Sequence, residues 1–257
     1  MARPFSSWNA YANFEVAVRY NARFFHDRKV RSFLNTVAAT AESRTTVLGP
    51  KKTIWSAQIG HSWIKQSYGD AEFEVPAPFP AERMKPLRAT ANEGRVNPRG
   101  IPCLYGANTR ETAVAEVRPW VGALVSLAQL RPAKDLRLVN CGGDPKIEHE
   151  IWFEQPSPEE REEIVWRAIG RAFSNPASPD PGVAEYAPTQ ILAEHFKNSG
   201  YDGILFRSSL GPGLNVALFD LDSVSVSKVS LSPVLGVKYA IGDDQSFHVK
   251  KHFKRVK

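Results

Sequence analysis

Residues 94–120 read GRVNPRGIPCLYGANTRETAVAEVRPW, and this stretch decides the fold. Asn97-Pro98-Arg99-Gly100 predicts a type I turn, with Asn first, Pro second and Gly fourth. Residues 101–107 then predict a short strand, and Pro102 near its start points to a sheet edge. Asn108-Thr109-Arg110-Glu111 carries the N-cap and N3 pattern of a capping box. A helix should therefore run to about Val117 and stop before Pro119, because the residue before a proline disfavours the helical conformation.

Downstream, residues 121–130 predict a buried strand and residues 136–139 another. Ser157-Pro158-Glu159-Glu160 opens a second helix, with the apolar face Ile164, Val165, Ala168, Ile169 and Ala172. A proline-rich loop at 175–182 precedes a helix over about 189–198, which Gly200 should stop. Strands over 203–207 and 215–220 flank Ser208-Ser209-Leu210-Gly211-Pro212-Gly213. Upstream, Phe14, Val18, Asn21 and Phe25 fall at helical spacing and Phe24, Val30, Phe33 and Leu34 continue the apolar content, so residues 11–34 predict one helix. Residues 53–59 alternate loosely, as a strand does, and the prolines of 76–80 mark a soft boundary. A helical start followed by mixed strands and helices is the order of an α+β or α/β domain.

Composition narrows the class. The 257 residues include 33 Lys+Arg against 27 Asp+Glu, a net charge of +6, with 42% hydrophobic and 23% charged residues. Those values exclude wholesale disorder, collagen and coiled coil. Cys103 and Cys141 are too few for a disulfide scaffold or a four-cysteine zinc site. No segment approaches the roughly 18 apolar residues of a membrane helix, and the N-terminus lacks the apolar core of a signal peptide. A cytoplasmic protein with no membrane contact is expected. Lys250, Lys251, Lys254, Arg255 and Lys257 in the tail carry most of the net charge, so the body is nearly neutral. The tail reads first as a solvated end; an RNA or DNA contact is the lesser reading.

Familiar catalytic motifs are absent. There is no Walker loop, Gly211-x-Gly213 does not lead from a strand into a helix, and GxSxG does not occur. Glu148-His149-Glu150 does not extend to HExxH, because Phe153 stands where the second histidine belongs, so no metal site is expected. The polar groups that remain are Arg95, Tyr105, Glu116, Ser208 and Asn215, each with an ordinary structural reading. Glu116 is the exception: it sits in a last helical turn, unfavourable against the dipole, among alanines and valines, and a partly buried carboxylate there requires a reason.

Two stretches carry a resemblance. Gly94-Arg95-x-Asn97-Pro98-x-Gly100, Leu104-Tyr105 and Thr112-Ala113-x-Ala115-Glu116-Val117 form the first; Tyr201-Asp202-Gly203-Ile204, Phe206-Arg207-Ser208-Ser209 and Asn215-Val216-x-Leu218-Phe219 form the second. Together they resemble the RES domain family, known as toxins of RES–Xre toxin–antitoxin pairs, over roughly residues 53–225. The resemblance implies an α+β, ADP-ribosyltransferase-like mixed sheet core with helices, preceded by a helical N-terminal extension. It divides the chain into an extension (1–52), a RES catalytic domain (53–230) and a C-terminal segment with the basic tail (231–257).

The resemblance further implies cleavage of the nicotinamide–ribose bond of NAD+, with water or phosphate as acceptor and no cofactor, since NAD+ is the substrate. Glu116 would stabilise positive charge on the ribose, Arg95 would hold the pyrophosphate or a ribose oxygen, and Tyr105 would stack on the nicotinamide. Ser208 or Ser209 and Asn215 would hydrogen-bond ribose or phosphate. Many members carry arginine in the early strand where this chain has Ser56, and Arg83 could compensate. The implied partner is an Xre-type helix-turn-helix antitoxin, and the extension could bind it, support a homo-oligomer or regulate access. Transfer of ADP-ribose to a macromolecule and a non-catalytic partner- or nucleic-acid-binding module are the competing readings.

Overall fold

A computed structural model describes residues 4–87, 91–143, 156–175, 185–239 and 241. The fold is α+β. Helices α1 (Ala10–Tyr20) and α2 (Arg28–Ala41) come first, followed by strands β1 (Thr45–Leu48), β2 (Ile54–Ile59), β3 (Ser62–Tyr68) and β4 (Ala71–Ala77). Next are β5 (Leu104–Ala107), α3 (Arg110–Glu116), β6 (Leu124–Pro132) and β7 (Leu136–Asn140). Helices α4 (Pro158–Ser174) and α5 (Ala187–Asn198) then lead to β8 (Gly203–Arg207), β9 (Leu214–Leu218) and β10 (Val224–Pro233).

Among the described residues eight strands form one mixed sheet in the order β1-β7-β8-β9-β5-β2-β6-β10. Only β7 and β8 run parallel; their connection carries α4 and α5 across one face. That face packs Val139, Ile204, Phe206 and Ala217 against Phe14, Val37, Trp166, Phe173 and Phe196 of the helices. The opposite face buries Ile54, Leu104, Leu130, Leu138, Val216 and Leu218 under Phe79 and Met84. Side chains alternate along a strand, so Asn215 and Ala217 of β9 share the helix-covered side while Val216 and Leu218 face the other.

Several expectations shift in the structure. Residues 11–34 do not form one helix: Asp27, whose side chain accepts from the Val30 N–H at 2.8 Å, starts α2 separately. Phe24 and Phe25 lie in the break, 87% and 91% exposed, rather than on an apolar face. The turn after residue 94 is one residue later: the Ile101 N–H bonds the Pro98 carbonyl at 3.2 Å, and Gly100 sits third with φ +87°, a left-handed value that glycine adopts without strain. The strand begins only at Leu104 and lies inside the sheet between β9 and β2, so Pro102 precedes it and marks no edge. The helix cap is Thr109, not Asn108, whose side chain instead accepts from the Leu214 N–H at 2.8 Å. The β3–β4 hairpin and β1 are additions that the sequence reading lacked.

The prolines of 76–80 do not separate two units. Phe79 is buried, its N–H bonds the Ser126 hydroxyl at 3.0 Å, and β2 lies deep in the main sheet. The N-terminal residues are equally woven in, since β1 pairs antiparallel with β7 and α1 and α2 share the helix-side core. Phe14, stacked on Phe33 at 4.6 Å between ring centroids, is 2% exposed. Phe14→Ala is expected to cost about 3–5 kcal/mol. Urea titration should show this as a lower midpoint of one cooperative transition; an unchanged main transition with a separate early phase would make the N-terminal helices an independent unit. The predicted loop at 175–182 lies, beyond residue 175, outside the described residues, as do Glu148-His149-Glu150 and the basic tail.

Candidate active site

Helix α3 places the carboxylate. Thr109 caps its N-terminus by accepting from the Thr112 N–H at 3.2 Å. The helix ends at Glu116, and Arg118 at φ +48° turns the chain away before Pro119. Glu116 is exposed, not partly buried as expected from its neighbours, and it lines an open cleft of about 320 Å³. Its reason for being there is a pair of hydrogen bonds: Oε1 accepts from Ser208 Oγ at 2.6 Å and from Asn215 Nδ2 at 2.7 Å. A carboxylate offers only acceptors, so both donors are fixed in direction.

The Ser208 hydroxyl is oriented from both sides. Its oxygen accepts from the Leu210 N–H at 3.1 Å and the Gly211 N–H at 2.9 Å, so its one proton is directed to Glu116. The loop that presents it folds tightly onto α3. The Gly213 N–H bonds Thr112 Oγ1 at 3.0 Å, and a Cβ at Gly211 would come within 2.9 Å of the Thr112 backbone. Asn215 is 8% exposed, and its Oδ1 is buried with no partner among the described residues.

Tyr105, on β5, presents its ring to the cleft and runs its hydroxyl inward. The hydroxyl donates to Asn97 Oδ1 at 2.7 Å and accepts from the Val96 N–H at 3.0 Å. Burial of that end holds the phenol well above its ordinary range, so it stays neutral. Asn97, 4% exposed, also donates through Nδ2 to the carbonyls of Asn92 (2.9 Å), Pro98 (3.2 Å) and Ile101 (2.8 Å). Gln190 of α5 clamps the same loop, donating to Gly94 O at 2.9 Å, Asn97 O at 3.1 Å and Glu93 Oε1 at 2.9 Å. The loop so held carries Arg95, whose Nη1 donates to the Phe173 carbonyl at 2.7 Å while the side chain lines the cleft.

Arg95, Tyr105, Glu116 and Asn215 therefore meet on one cleft, with Ser208 bonded to the carboxylate. Ser56 lies on the wall beside Trp55. Neither Ser208 nor Ser209 lines the cleft itself; of the doublet, it is Ser208 that bonds the Glu116 carboxylate. Arg83 is not there either: its guanidinium lies 3.8 Å over the Phe79 ring, away from the cleft. The sequence reading missed Asn97 as a positioning group and missed Gln190 and Tyr186 entirely; the partners of Gln190 lie some ninety residues away in sequence, and no local pattern marks it. Cys103 and Cys141 are buried, and burial pushes the Cys103 thiol up to about 12, so neither serves as a nucleophile. Among the described residues no cluster of three His, Cys, Asp or Glu could hold a metal ion, and no helix is long and apolar enough to cross a membrane. A larger cavity of about 830 Å³ beside α1 and α2 is lined by Asp27 and Arg28 with Phe5, Phe14 and Phe33, but its carboxylate is the cap of α2, accepting from the Val30 N–H.

The RES domain family model matches residues 67–239, which include all five residues just assembled and begin after β2. No curated protein matches the chain. A solved chain described as part of the M. tuberculosis MbcT–MbcA toxin–antitoxin complex aligns at 13% identity and a TM-score of 0.42, covering 77% of this chain and 92% of that one.

Proposed function

Since the chain belongs to the RES domain family, we propose that its cleft binds NAD+ and breaks the bond between nicotinamide and ribose. The single observation that carries this reading is Glu116: a carboxylate at the cleft wall whose Oε1 is immobilised by Ser208 and Asn215. In the reaction the C1′–N bond breaks and its electron pair stays on the nicotinamide nitrogen, leaving neutral nicotinamide. Positive charge builds on C1′ and the ring oxygen, and a preorganised carboxylate stabilises it without reorganising at the moment of reaction. An oxygen of water or phosphate then bonds C1′; with water, the displaced proton passes to solvent.

The other groups have matching tasks. The Tyr105 ring is 38% exposed and locked through its hydroxyl, which suits stacking on the nicotinamide. Arg95 supplies a guanidinium fork for phosphate oxygens. Asn215 holds the carboxylate in place through its amide N–H. No metal or redox cofactor is required, because the leaving group already carries the charge that drives its departure. The family also supports a place in a toxin–antitoxin pair, with a helix-turn-helix antitoxin as the proposed partner and the cytoplasm as the proposed location.

Mass spectrometry of the products, with and without phosphate, tests the reaction and its acceptor together. ADP-ribose alone indicates water; a phosphorylated ADP-ribose that appears only with phosphate indicates phosphorolysis; intact NAD+ in both sinks the reading. Ser56 offers a second check. An arginine there would place a cation on the cleft wall, so Ser56→Arg is expected to lower the KM for NAD+ about five- to tenfold. An unchanged KM would place the pyrophosphate elsewhere.

A further inference from the structure

Beside the cleft lies a second chamber of about 260 Å³, and Arg95 and Tyr186 line both. Its far wall is α1, through Tyr11, Glu15 and Arg19, a helix that precedes the residues matched to the family. Arg171 of α4 and Thr189 in the first turn of α5 also line it. Two polar atoms here are buried and, among the described residues, have no partner: the Tyr11 hydroxyl and Arg19 Nε. Tyr11 is only 6% exposed. Burial, reinforced by Glu15 and opposed by Arg19, lifts its phenol far above the ordinary range, so the hydroxyl keeps its proton.

A buried donor without an acceptor is costly, and two in one chamber call for a ligand rich in acceptors. The charge agrees. Glu15 is engaged by Arg19 at 2.8 Å, and the chamber sets three guanidinium groups, of Arg19, Arg95 and Arg171, against the carboxylates of Glu15 and Glu185. The N-terminal end of α5 adds the positive pole of its dipole. The volume exceeds that of a lone ion or a few waters, which take about 30 Å³ each.

We infer that this chamber binds a phosphate-bearing group, with Tyr11 and Arg19 donating to its oxygens. On the NAD+ reading of the adjoining cleft, that group is the adenylate end of the dinucleotide, with Arg95 serving both spaces; this assignment rests on the proposed function, whereas the chamber's chemistry does not. The N-terminal helix, outside the family match, is then part of the substrate site.

Calorimetric titration of the full chain with AMP, and separately with orthophosphate, tests it. AMP should bind the wild type, and Tyr11→Phe should weaken it about tenfold, the worth of one hydrogen bond to a charged group. The ligand-free melting temperature of that variant should not fall, because the hydroxyl it removes has no partner. Arg171→Gln should weaken AMP as well. Orthophosphate binding with the same Tyr11 dependence, and AMP no tighter, keeps the site and makes the free anion its ligand. Affinities for both probes that neither substitution changes would overturn the inference. The titration does not read nicotinamide release, so Tyr11-dependent AMP binding by a protein that leaves NAD+ intact would remove the proposed activity and keep the chamber.

Discussion

Glu116→Gln is expected to slow nicotinamide release about 10³-fold while leaving the fold intact. Glutamine keeps an amide oxygen that can accept from Ser208 Oγ and Asn215 Nδ2, so the local hydrogen bonds survive. Only the negative charge that the proposed reaction sets against the ribose disappears. Removing one preorganised electrostatic group from an active site costs on the order of 10²–10³ in rate, and here the lost group opposes a full developing charge. KM should move little, since the ground-state sugar is close to neutral at C1′. The melting temperature of the variant, recorded beside its kcat, separates lost chemistry from lost structure. A variant that is folded and retains more than a tenth of the wild-type rate would assign the catalytic charge elsewhere.

Asn97→Ala should produce the largest loss of stability among the polar residues around the cleft, about 3 kcal/mol. Truncation removes the donor to the Asn92 and Ile101 carbonyls, which flank the loop that carries Arg95, and the acceptor of the Tyr105 hydroxyl. Each buried group left unsatisfied costs roughly 1–3 kcal/mol, and rearrangement of the loop recovers part of the sum. The loss should appear as a lower urea midpoint at unchanged slope. Activity should fall with it, through a higher KM, because Tyr105 and Arg95 lose their anchor together. Tyr105→Phe offers the contrast: it keeps the ring and removes one bond, so its stability loss should be about a third as large. Equal losses in the two variants would mean that Asn97 acts only through Tyr105.

How much of this could be read from the chain depends on how local each feature is. The start of α4 is local: Ser157, Pro158 and Glu160 sit together, and the structure shows the complete capping box, with Ser157 Oγ accepting from the Glu160 N–H and the Glu160 carboxylate from the Ser157 N–H. The end of α5 at Gly200, with φ +83°, is local too. The choice between Asn108 and Thr109 as cap is not. Both residues suit the position, and the tertiary bond from Leu214 N–H to Asn108 settles it. The break between α1 and α2 was hidden because apolar residues run through it, although Phe24 and Phe25 end in solvent.

The site divides in the same way. Arg95, Tyr105 and Glu116 are singled out through the resemblance to the RES domain family, and the turn–strand–helix unit that carries them brings all three to one cleft. Ser208 and Asn215 follow from the second stretch, yet only the three-dimensional hydrogen bonds distinguish Ser208 from Ser209. Arg83 shows the limit of compensating on charge alone, since it lies over Phe79 instead of entering the cleft. Tyr11 and Arg19 carried no signal beyond an amphipathic helix; their unpartnered donors exist only once α1 packs beside α4 and α5.

The most direct test of the central claim is nicotinamide release, followed by chromatography, from NAD+ incubated with the full-length wild-type protein in phosphate and in phosphate-free buffer. Nicotinamide should appear in step with NAD+ loss in at least one buffer, and Glu116→Gln should slow its release about 10³-fold. NAD+ recovered intact in both, with a folded protein, would contradict the claim that this cleft breaks the nicotinamide–ribose bond of free NAD+.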